Sequence, residues 1–413
     1  MIYDCIVIGG GPAGMMATIS ASKLGAKVLL LEKNEKLGKK LYITGKGRCN
    51  VTNSSSSDNY FSNIVTNQKF LYSVLNNFDC HNTINFFESN NCPLQIERGN
   101  RVFPTSNKSN DIIKTLEKII VSQNVKVALN KKVLKISKNE EIFAIKTTNG
   151  DYQSKNVVVA TGGLSYPATG STGDGYNFAK SFGHNVVASK PALCDIKTGQ
   201  NISSLEGLHL KNVIVTARIN NKIIKSEFGE LLIRDNKLSG PTILTISSYI
   251  NKLDDKPITI SVNLKPGVSD EELERRLLND IKSTPNITFK QLLKEYLPNQ
   301  LIDYFINYTN VLSSQLLNSI TTQQRRTIIQ SLQNLLFNDT KLDKIDNAII
   351  TSGGIDINNI NPKTMESKIT QGMYFAGELI DVDALTGGYN IQIALSTGYT
   401  AGISIANKIN KEN

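Results

Sequence analysis

Residues 3–33 read YDCIVIGGGPAGMMATISASKLGAKVLLLEK. The apolar run from Cys5 to Ile8 is short enough for a buried parallel strand. Gly9, Gly11 and Gly14 follow in G-x-G-x-x-G spacing and open a helical segment of small residues from about Pro12 to Leu24. Gly25 stops that helix, and a second apolar strand ends at Glu32. Each glycine has its own physical task. Gly9 makes the tight turn, Gly11 lets a pyrophosphate approach the backbone, and Gly14 lets helix and strand pack closely, while the helix N-terminus faces the phosphate charge. Glu32 lies 21 residues after Gly11, where a carboxylate accepts hydrogen bonds from an adenosine ribose and repels the 2′-phosphate of NADP. A glycine triplet alone is weak, but strand, helix, second strand and terminal acid in this order predict a bound adenine dinucleotide.

The middle and the end of the chain bear on FAD against NAD. After a helical pattern at SNDIIKTLEKIIVSQ comes VKVALNKKVLKISKNEEIFAIKTTNGDYQSKNVVVATGG, a strand followed by short strands with a turn at Asn149-Gly150, a strong hairpin signal. The last buried strand, Val157 to Ala160, ends in Thr161-Gly162-Gly163. A three-stranded antiparallel meander in place of a crossover helix is similar to FAD-binding oxidoreductases of the glutathione reductase type, and Val133 would then lie where backbone groups meet the adenine. Downstream, GMYFAGELIDVDALTGGYNIQIALSTGYTAGISIANKI gives a strand from Met373 to Ala376, the pair Gly377-Glu378, a turn at Gly387-Gly388 and a long helix from about Asn390. The acid suits the hydroxyls of a ribityl chain. A helix N-terminus aimed at the flavin N1–C2=O edge would favour the charge that develops there on reduction by about 0.3–2 kcal/mol. A plain turn accounts for the two glycines but not for the strand–acid pair before them.

Six long stretches carry a resemblance over essentially the whole chain: LEKNEKLGKKLYITGKGRCNVTN, GNRVFPTSN, ATGGLSYPATGSTGDGYNFAKSFGH, LSGPTIL, NPKTMESK and GMYFAGELIDVDALTGGYNIQIALSTGY. Together they resemble the BaiN/YhiN-like bacterial flavoprotein family, the NAD(P)/FAD-dependent, aminoacetone oxidase-like oxidoreductases. The resemblance implies bound FAD, an α/β glutathione reductase-type FAD-binding Rossmann domain split in sequence, and an inserted two-part domain. It also implies cofactor contacts from Gly9, Gly11, Ala13, Gly14, Glu32 and Lys33, from Lys40, Leu41, Thr44, Gly45, Arg48, Cys49 and Asn50, from Val133, Ala160, Thr161 and Gly162, and from Gly377, Glu378, Gly388, Asn390 and Ile391. In that picture Lys40 to Asn50 wraps the FAD from its pyrophosphate toward the isoalloxazine. Gly45 and Gly47 allow close approach, and Arg48 offers a fixed cation near phosphate or reduced flavin. Cys49 is read as a small packing group, since no histidine accompanies it, and VTNSSSS after it as an exposed loop.

The second glycine cluster, Gly170, Gly173 and Gly175, does not follow a strand directly and is not read as an NAD loop. It resembles the T-G-D-G segment of fumarate reductase-type flavoproteins, which would place Tyr166 and Thr172 near the substrate face, Tyr166 being a candidate proton donor or a structural tyrosine. Arg48 and Tyr166 are the candidate catalytic residues. Arg101 is open between a substrate carboxylate and a structural ion pair. Three histidines, His184 at a helix end and His81 and His209 without visible partners, and five scattered cysteines give no metal site, no disulfide framework and no Ser-His-Asp pattern.

The expected division is an FAD domain from residues 1–190 and 347–413, with an insert at 191–346 that is β-barrel-like over about 191–266 and helical over about 267–338. NVIVTARINNKIIKSEFGELLI and PITISVNL alternate as strands with a turn at Asn220-Asn221. SDEELERRLLNDI, TFKQLLKEYL and TTQQRRTIIQSLQNLLF read as amphipathic helices, the first capped by Ser269. LLIRDNKLSGP departs from the family near Arg234 and Lys237, which weakens any transfer of substrate.

With 40% hydrophobic and 20% charged residues over 413 positions, the composition is ordinary for a globular protein. The apolar N-terminus lacks a basic leader, no stretch reaches membrane-spanning length, and a cytoplasmic location is expected. The net charge of +10 comes from basic residues spread along the chain, so a nucleic-acid partner is disfavoured. The expectation is an FAD-dependent oxidoreductase, with NAD(P)H as a transient reductant, that reduces an activated C=C or related bond of a small organic substrate through flavin N5. A flavin-dependent tRNA-modifying protein and a flavin-bound redox sensor without turnover are the alternatives; the oligomeric state is open.

Overall fold

The N-terminal apolar run is β1 (Ile2–Ile8), and the small-residue segment after the glycine turn is α1 (Pro12–Lys23), with proline in its first turn. Every residue of β2 (Val28–Leu31) is buried. β2 runs parallel to β1 with Leu31 opposite Ile8, so the two strands end level. A left-handed Gly38 leads into α2 (Lys39–Ile43).

Next come β3 (Thr52–Asn53), β4 (Ile64–Thr66), β5 (Leu94–Glu97) and β6 (Arg101–Pro104). β3, β6 and β5 form a small antiparallel sheet in that order. The helix Ser109–Ser122 then leads to β7 (Lys126–Ala128), which pairs parallel to β2.

The meander follows as β8 (Val133–Asn139), β9 (Ile142–Thr147) and β10 (Asp151–Val159), the last two joined through a left-handed Gly150. β10 changes partner along its length. Asp151 to Ser154 pair antiparallel with β9, while on its other edge Gln153 to Val159 run parallel to β1. That switch is how a hairpin element joins a parallel sheet without a crossover helix. The helix Asp174–Ser181 and β11 (Val186–Ala192) follow.

The structure describes residues 1–253 and 256–412, and these form two units, Met1–Pro191 with Ile345–Asn413, and Ala192–Lys344. The second unit holds β12 (Ile196–Lys197), β13 (His209–Ile219), β14 (Lys222–Arg234), β15 (Lys237–Ser239), β16 (Ile258–Asn263), β17 (Leu335–Phe337) and β18 (Lys341–Leu342). Their order is linear, β17-β16-β13-β14-β15-β12-β18; the barrel-like closure expected from the alternation is not among its pairings in the described residues. Asn220 and Asn221 are both left-handed, the requirement of a tight turn between β13 and β14. Ser269 caps the helix Asp270–Ser283 by accepting from the Glu272 N–H at 3.2 Å. The helix expected to run through Phe337 stops at Gln333, and Leu335 to Phe337 form β17 instead. There Leu335, Leu336 and Phe337 pair with Val262, Ser261 and Ile260, so sheet pairing overrides helical spacing.

The chain returns to the first unit as β19 (Ile350–Ile355), which pairs with β11, then β20 (Met373–Phe375), which extends the main sheet beside β10, and β21 (Asp383–Ala384), which pairs with β4. The main sheet thus reads β7-β2-β1-β10-β9-β8 with β20 also on β10. The C-terminal helix Tyr389–Glu412 packs on α1 through two glycines. A Cβ on Gly398 would lie 2.1 Å from the Ala13 carbonyl oxygen, and one on Gly402 would lie 2.4 Å from that of Ala17. No helix among the described residues is long and apolar enough to cross a membrane.

Candidate functional site

The parallel strands β2, β1, β10 and β20 end level at Leu31, Ile8, Val159 and Phe375, and the crevice beyond such ends is where open α/β sheets take their ligands. The three glycines of the first turn meet different surroundings there. A Cβ on Gly9 would lie 2.4 Å from Ala160 O, and one on Gly14 would lie 1.8 Å from Gly9 O. Gly11 faces open space, with nothing within 4 Å of its Cβ position. It begins α1 with no side-chain cap, so a positive helix end borders free volume. Thr161, one residue beyond Ala160, has a buried hydroxyl with no hydrogen-bond partner among the described residues. Gly162 beside it is left-handed.

Glu32 is buried at the end of β2 and already holds three donors. Gly10 N–H reaches Oε2 at 2.6 Å, while the Asn34 N–H and side-chain amide reach Oε1 at 2.8 and 2.7 Å. A carboxylate offers about four acceptor sites, which leaves one for a hydroxyl. The Lys131 N–H donates to Glu32 O at 2.9 Å, and Val133 opens β8 two residues later. Lys33 is turned to Thr172 and Asp174, at 2.5 and 2.8 Å. The T-G-D-G segment therefore sits at the Glu32 edge, where Lys33 donates to the Thr172 hydroxyl.

Four separated pieces of chain meet at Glu378. Lys40 from α2 reaches its Oε2 at 2.6 Å; Ser165 Oγ and the Thr351 N–H both donate to Oε1 at 2.9 Å. Lys40 also reaches Ser165 Oγ at 2.6 Å. Again three acceptor sites are filled and one remains. Tyr166, next to Ser165, is a half-buried residue with a left-handed backbone. Gly377 touches the first turn of α1, since its Cβ would lie 2.8 Å from that of Ala13, and its N–H donates to Thr397 of the C-terminal helix at 2.9 Å.

The segment from Leu41 to Asn53 folds against the start of that same helix. Leu41 is buried, and the Thr44 hydroxyl donates to Leu41 O at 2.7 Å. Gly45, Lys46, Gly47 and Cys49 are all left-handed. Asn50 accepts from the Val102 N–H at 3.1 Å. A Cβ on Gly388 would lie 2.4 Å from Thr52 O, and the Asn53 amide donates to Gly387 O at 3.0 Å. Asn390 closes its own turn through Ala384, and Ile391 packs against the core. Val51, Thr52, Asn53 and Ser55 are buried, which corrects the reading of VTNSSSS as an exposed loop.

Cys49 is fully buried and its thiol is pushed up to about 12 by desolvation, so it packs and does not attack. Arg48 departs from its expected role. Its guanidinium is bonded to Glu97 and Asn107 and lies 4.1 Å over the Phe103 ring. Its charge is matched within the protein, and nothing in this geometry marks it as catalytic.

Residues missed in the sequence complete the site: Asn34, Asn53, Ser165, Thr351 and Thr397. Only Thr351, in a TSGG stretch that parallels ATGG, had a local signal. These surroundings fit FAD by two observations: open space at Gly11 beside an uncapped helix end, and the orphaned Thr161 hydroxyl.

The family model described as HI0933-like protein Rossmann domain matches residues 3–404. The chain is 28% identical over 406 residues to the 3-dehydro-bile acid delta(4,6)-reductase of Clostridium scindens, covering 97% of this chain and 98% of that one. It is 27% identical over 408 residues to the ribosomal RNA dihydrouridine synthase of Haemophilus influenzae, covering 97% and 98%. Among solved structures, the 3-ketosteroid-delta4-(5alpha)-dehydrogenase of Rhodococcus jostii RHA1 has the same fold, with TM-score 0.52, 14% identity, and coverage of 98% and 96%.

Proposed function

The chain belongs to the HI0933-like family and is an FAD-dependent oxidoreductase, and from that premise we propose that it reduces a C=C bond conjugated to a carbonyl, with NAD(P)H as electron source. The names of the two full-length relatives carry this reading. A 3-dehydro Δ4,6 steroid and the uracil ring that becomes dihydrouridine both present a double bond conjugated to C=O. In the net reaction NAD(P)H and a proton are consumed, the double bond gains two hydrogens, and NAD(P)+ is released.

FAD, when bound, supplies the hydride transfer. The chain's own residues bind and orient it: the Gly11 turn and α1 its diphosphate, Glu32 its ribose, Glu378 and Lys40 its sugar chain, and the turn at Gly387-Gly388 with the C-terminal helix its ring. Tyr166 Oη is the candidate proton donor. NAD(P)H visits transiently, because the second glycine cluster is packed on Lys33 and Asn34 through Gly170.

As substrate we favour uracil in RNA over a small acid. A full-length relative is named for ribosomal RNA; the formal net charge of +10, spread along the chain, permits a polyanion without selecting one. A small steroid-like enone is the second reading, supported by the bile-acid relative. Anaerobic reduction by NADH or NADPH, followed by reoxidation with uridine-containing RNA or with a 3-oxo-Δ4 bile acid, separates them. Dihydrouridine in the digested RNA is the expected product; reoxidation by neither compound would sink the proposal.

A further inference from the structure

We propose that Arg101 and Arg98, on the β5–β6 hairpin, form the subsite that takes an RNA phosphodiester next to the reacting base, an inference that rests on the RNA reading above. Three observations place a cationic platform one strand from the candidate ring site. Arg101 on β6 is paired with Asn53 on β3, and the Asn53 side chain donates to Gly387 O. The turn between β5 and β6 is tight, with Gly99 and Asn100 both left-handed, and it leaves Arg98 and Arg101 both exposed on a short hairpin. Behind Arg101 lies the buried Phe103 ring, with the guanidinium carbon of Arg48 at 4.1 Å and that of Arg101 at 5.7 Å from its centroid.

The local charges do not cancel. Arg48 takes the near oxygen of Glu97, and its hydrogen bond holds that carboxyl below the usual range. Arg101 reaches the other oxygen only at 3.9 Å, and its side chain is 46% exposed. Two guanidinium groups, those of Arg48 and Arg101, thus share one carboxylate that is already engaged, and the exposed Arg98 adds a further positive charge. Arg101 is also oriented in advance: its Nε donates to Arg98 O at 3.0 Å, which leaves the terminal nitrogens of the fork for an incoming anion. A planar fork matches two phosphate oxygens at once, which a lysine cannot do. Phosphate contacts of this kind fix the register of a nucleic acid without reading sequence, which is what a base-modifying enzyme needs beside its site.

The test uses the FAD-loaded full chain and a fluorescein-labelled, uridine-rich single-stranded RNA, with anisotropy titrations across a series of KCl concentrations. Arg101→Gln is expected to weaken binding about three- to tenfold and to lower the salt slope by about 0.7 for the lost phosphate contact. Arg98→Gln should do the same to a smaller degree. Glu97→Gln, which removes the competing carboxylate, should strengthen binding. Arg101→Lys keeps the charge and should retain the slope while losing part of the affinity; it serves as the second variant should the glutamine replacement lose FAD. A purely structural Arg101–Glu97 pair would move the melting temperature and leave the salt slope alone. If the wild type binds RNA with salt dependence and the Arg98→Gln/Arg101→Gln double variant matches it in affinity and slope, the subsite is wrong while the RNA reading stands. If the wild type shows no salt-dependent RNA binding, the RNA reading fails and takes the subsite with it.

Discussion

Two glycines three residues apart make the sharpest prediction at the residue scale. Gly14 is required by the protein itself, because its Cβ would lie 1.8 Å from Gly9 O. Gly11 faces open space with an ordinary φ of −78°, so alanine there obstructs only what enters from outside. Gly14→Ala should therefore lower stability by at least about 3 kcal/mol and yield little FAD. Gly11→Ala should stay within about 1 kcal/mol of the wild type as apoprotein yet lose FAD affinity. Thermal melts of the apoproteins and flavin titrations check both; unchanged FAD affinity in Gly11→Ala would show that Gly11 does not border the cofactor. Both glycines and Glu32 were legible because their partners lie within one βαβ unit. Arg48 was misread for the opposite reason. Its partners Glu97 and Asn107 are 49 and 59 residues away, and a lone arginine in a glycine loop looks free until the strand and the turn that supply them are in place.

At the scale of elements, the end of the helix Asp174–Ser181 ties a histidine into the fold. Gly183 is left-handed and the His184 N–H donates to Ala179 O at 3.1 Å, a cap that turns the ring inward. His184 Nδ1 donates to Ala179 O at 3.0 Å. Nε2, at 2.7 Å, accepts from Ser367 Oγ, which itself accepts from the Ile369 and Thr370 N–H groups. This network suits the neutral ring, and burial lowers the pKa from its ordinary 6.5 although the Ala179 bond opposes it. The unfolded chain then takes up a proton that the folded one refuses. Stability is fully present above about pH 6.5 and is lost as pH falls toward the lower folded pKa. Between pH 7 and pH 5 the wild-type melting temperature should drop by about 1–3 °C more than that of His184→Gln; identical slopes would refute the linkage. The helix ending in FGH was legible from its glycine, but not the buried ring, because Ser367 and Phe375 arrive from the far end of the chain. The insert shows the same contrast. The Ser269 cap and the Asn220-Asn221 turn are local and were readable, whereas β17 depends on pairing with β16, a segment some 75 residues earlier, given that Ile260 pairs with Phe337.

For the whole molecule, the α/β fold could be read from its first 32 residues together with the meander, since each step there is a neighbour-to-neighbour signal. The closing of the cofactor site could be read only in part, with Lys40 and Glu378 named through the resemblance and Ser165 and Thr351 missed. It requires Lys40, Ser165, Thr351 and Glu378 to converge from four distant stretches. All four lie in the unit formed by Met1–Pro191 and Ile345–Asn413. That unit has a hydrophobic core of its own, from Tyr3 to Ile409, and the Ala192–Lys344 unit has a separate one, from Ile196 to Phe337. A chain that leaves through β11 and returns through β19 does so along paired strands, with a Cβ on Gly353 only 2.4 Å from Ala188 O. The three steps from Ala188 to Pro191 and the eight from Ile345 to Gly353 bound the gap at roughly 40 Å even when fully extended. Replacing 192–344 by a Gly/Ser linker of about ten residues should then leave a folded, yellow protein, because every FAD contact assigned above and the core beneath it remain. Its flavin content per chain and melting temperature, measured beside the full chain, decide the matter. An insoluble or colourless product would mean that the cofactor unit depends on its insert to fold, and that contacts needed for FAD come from residues 192–344.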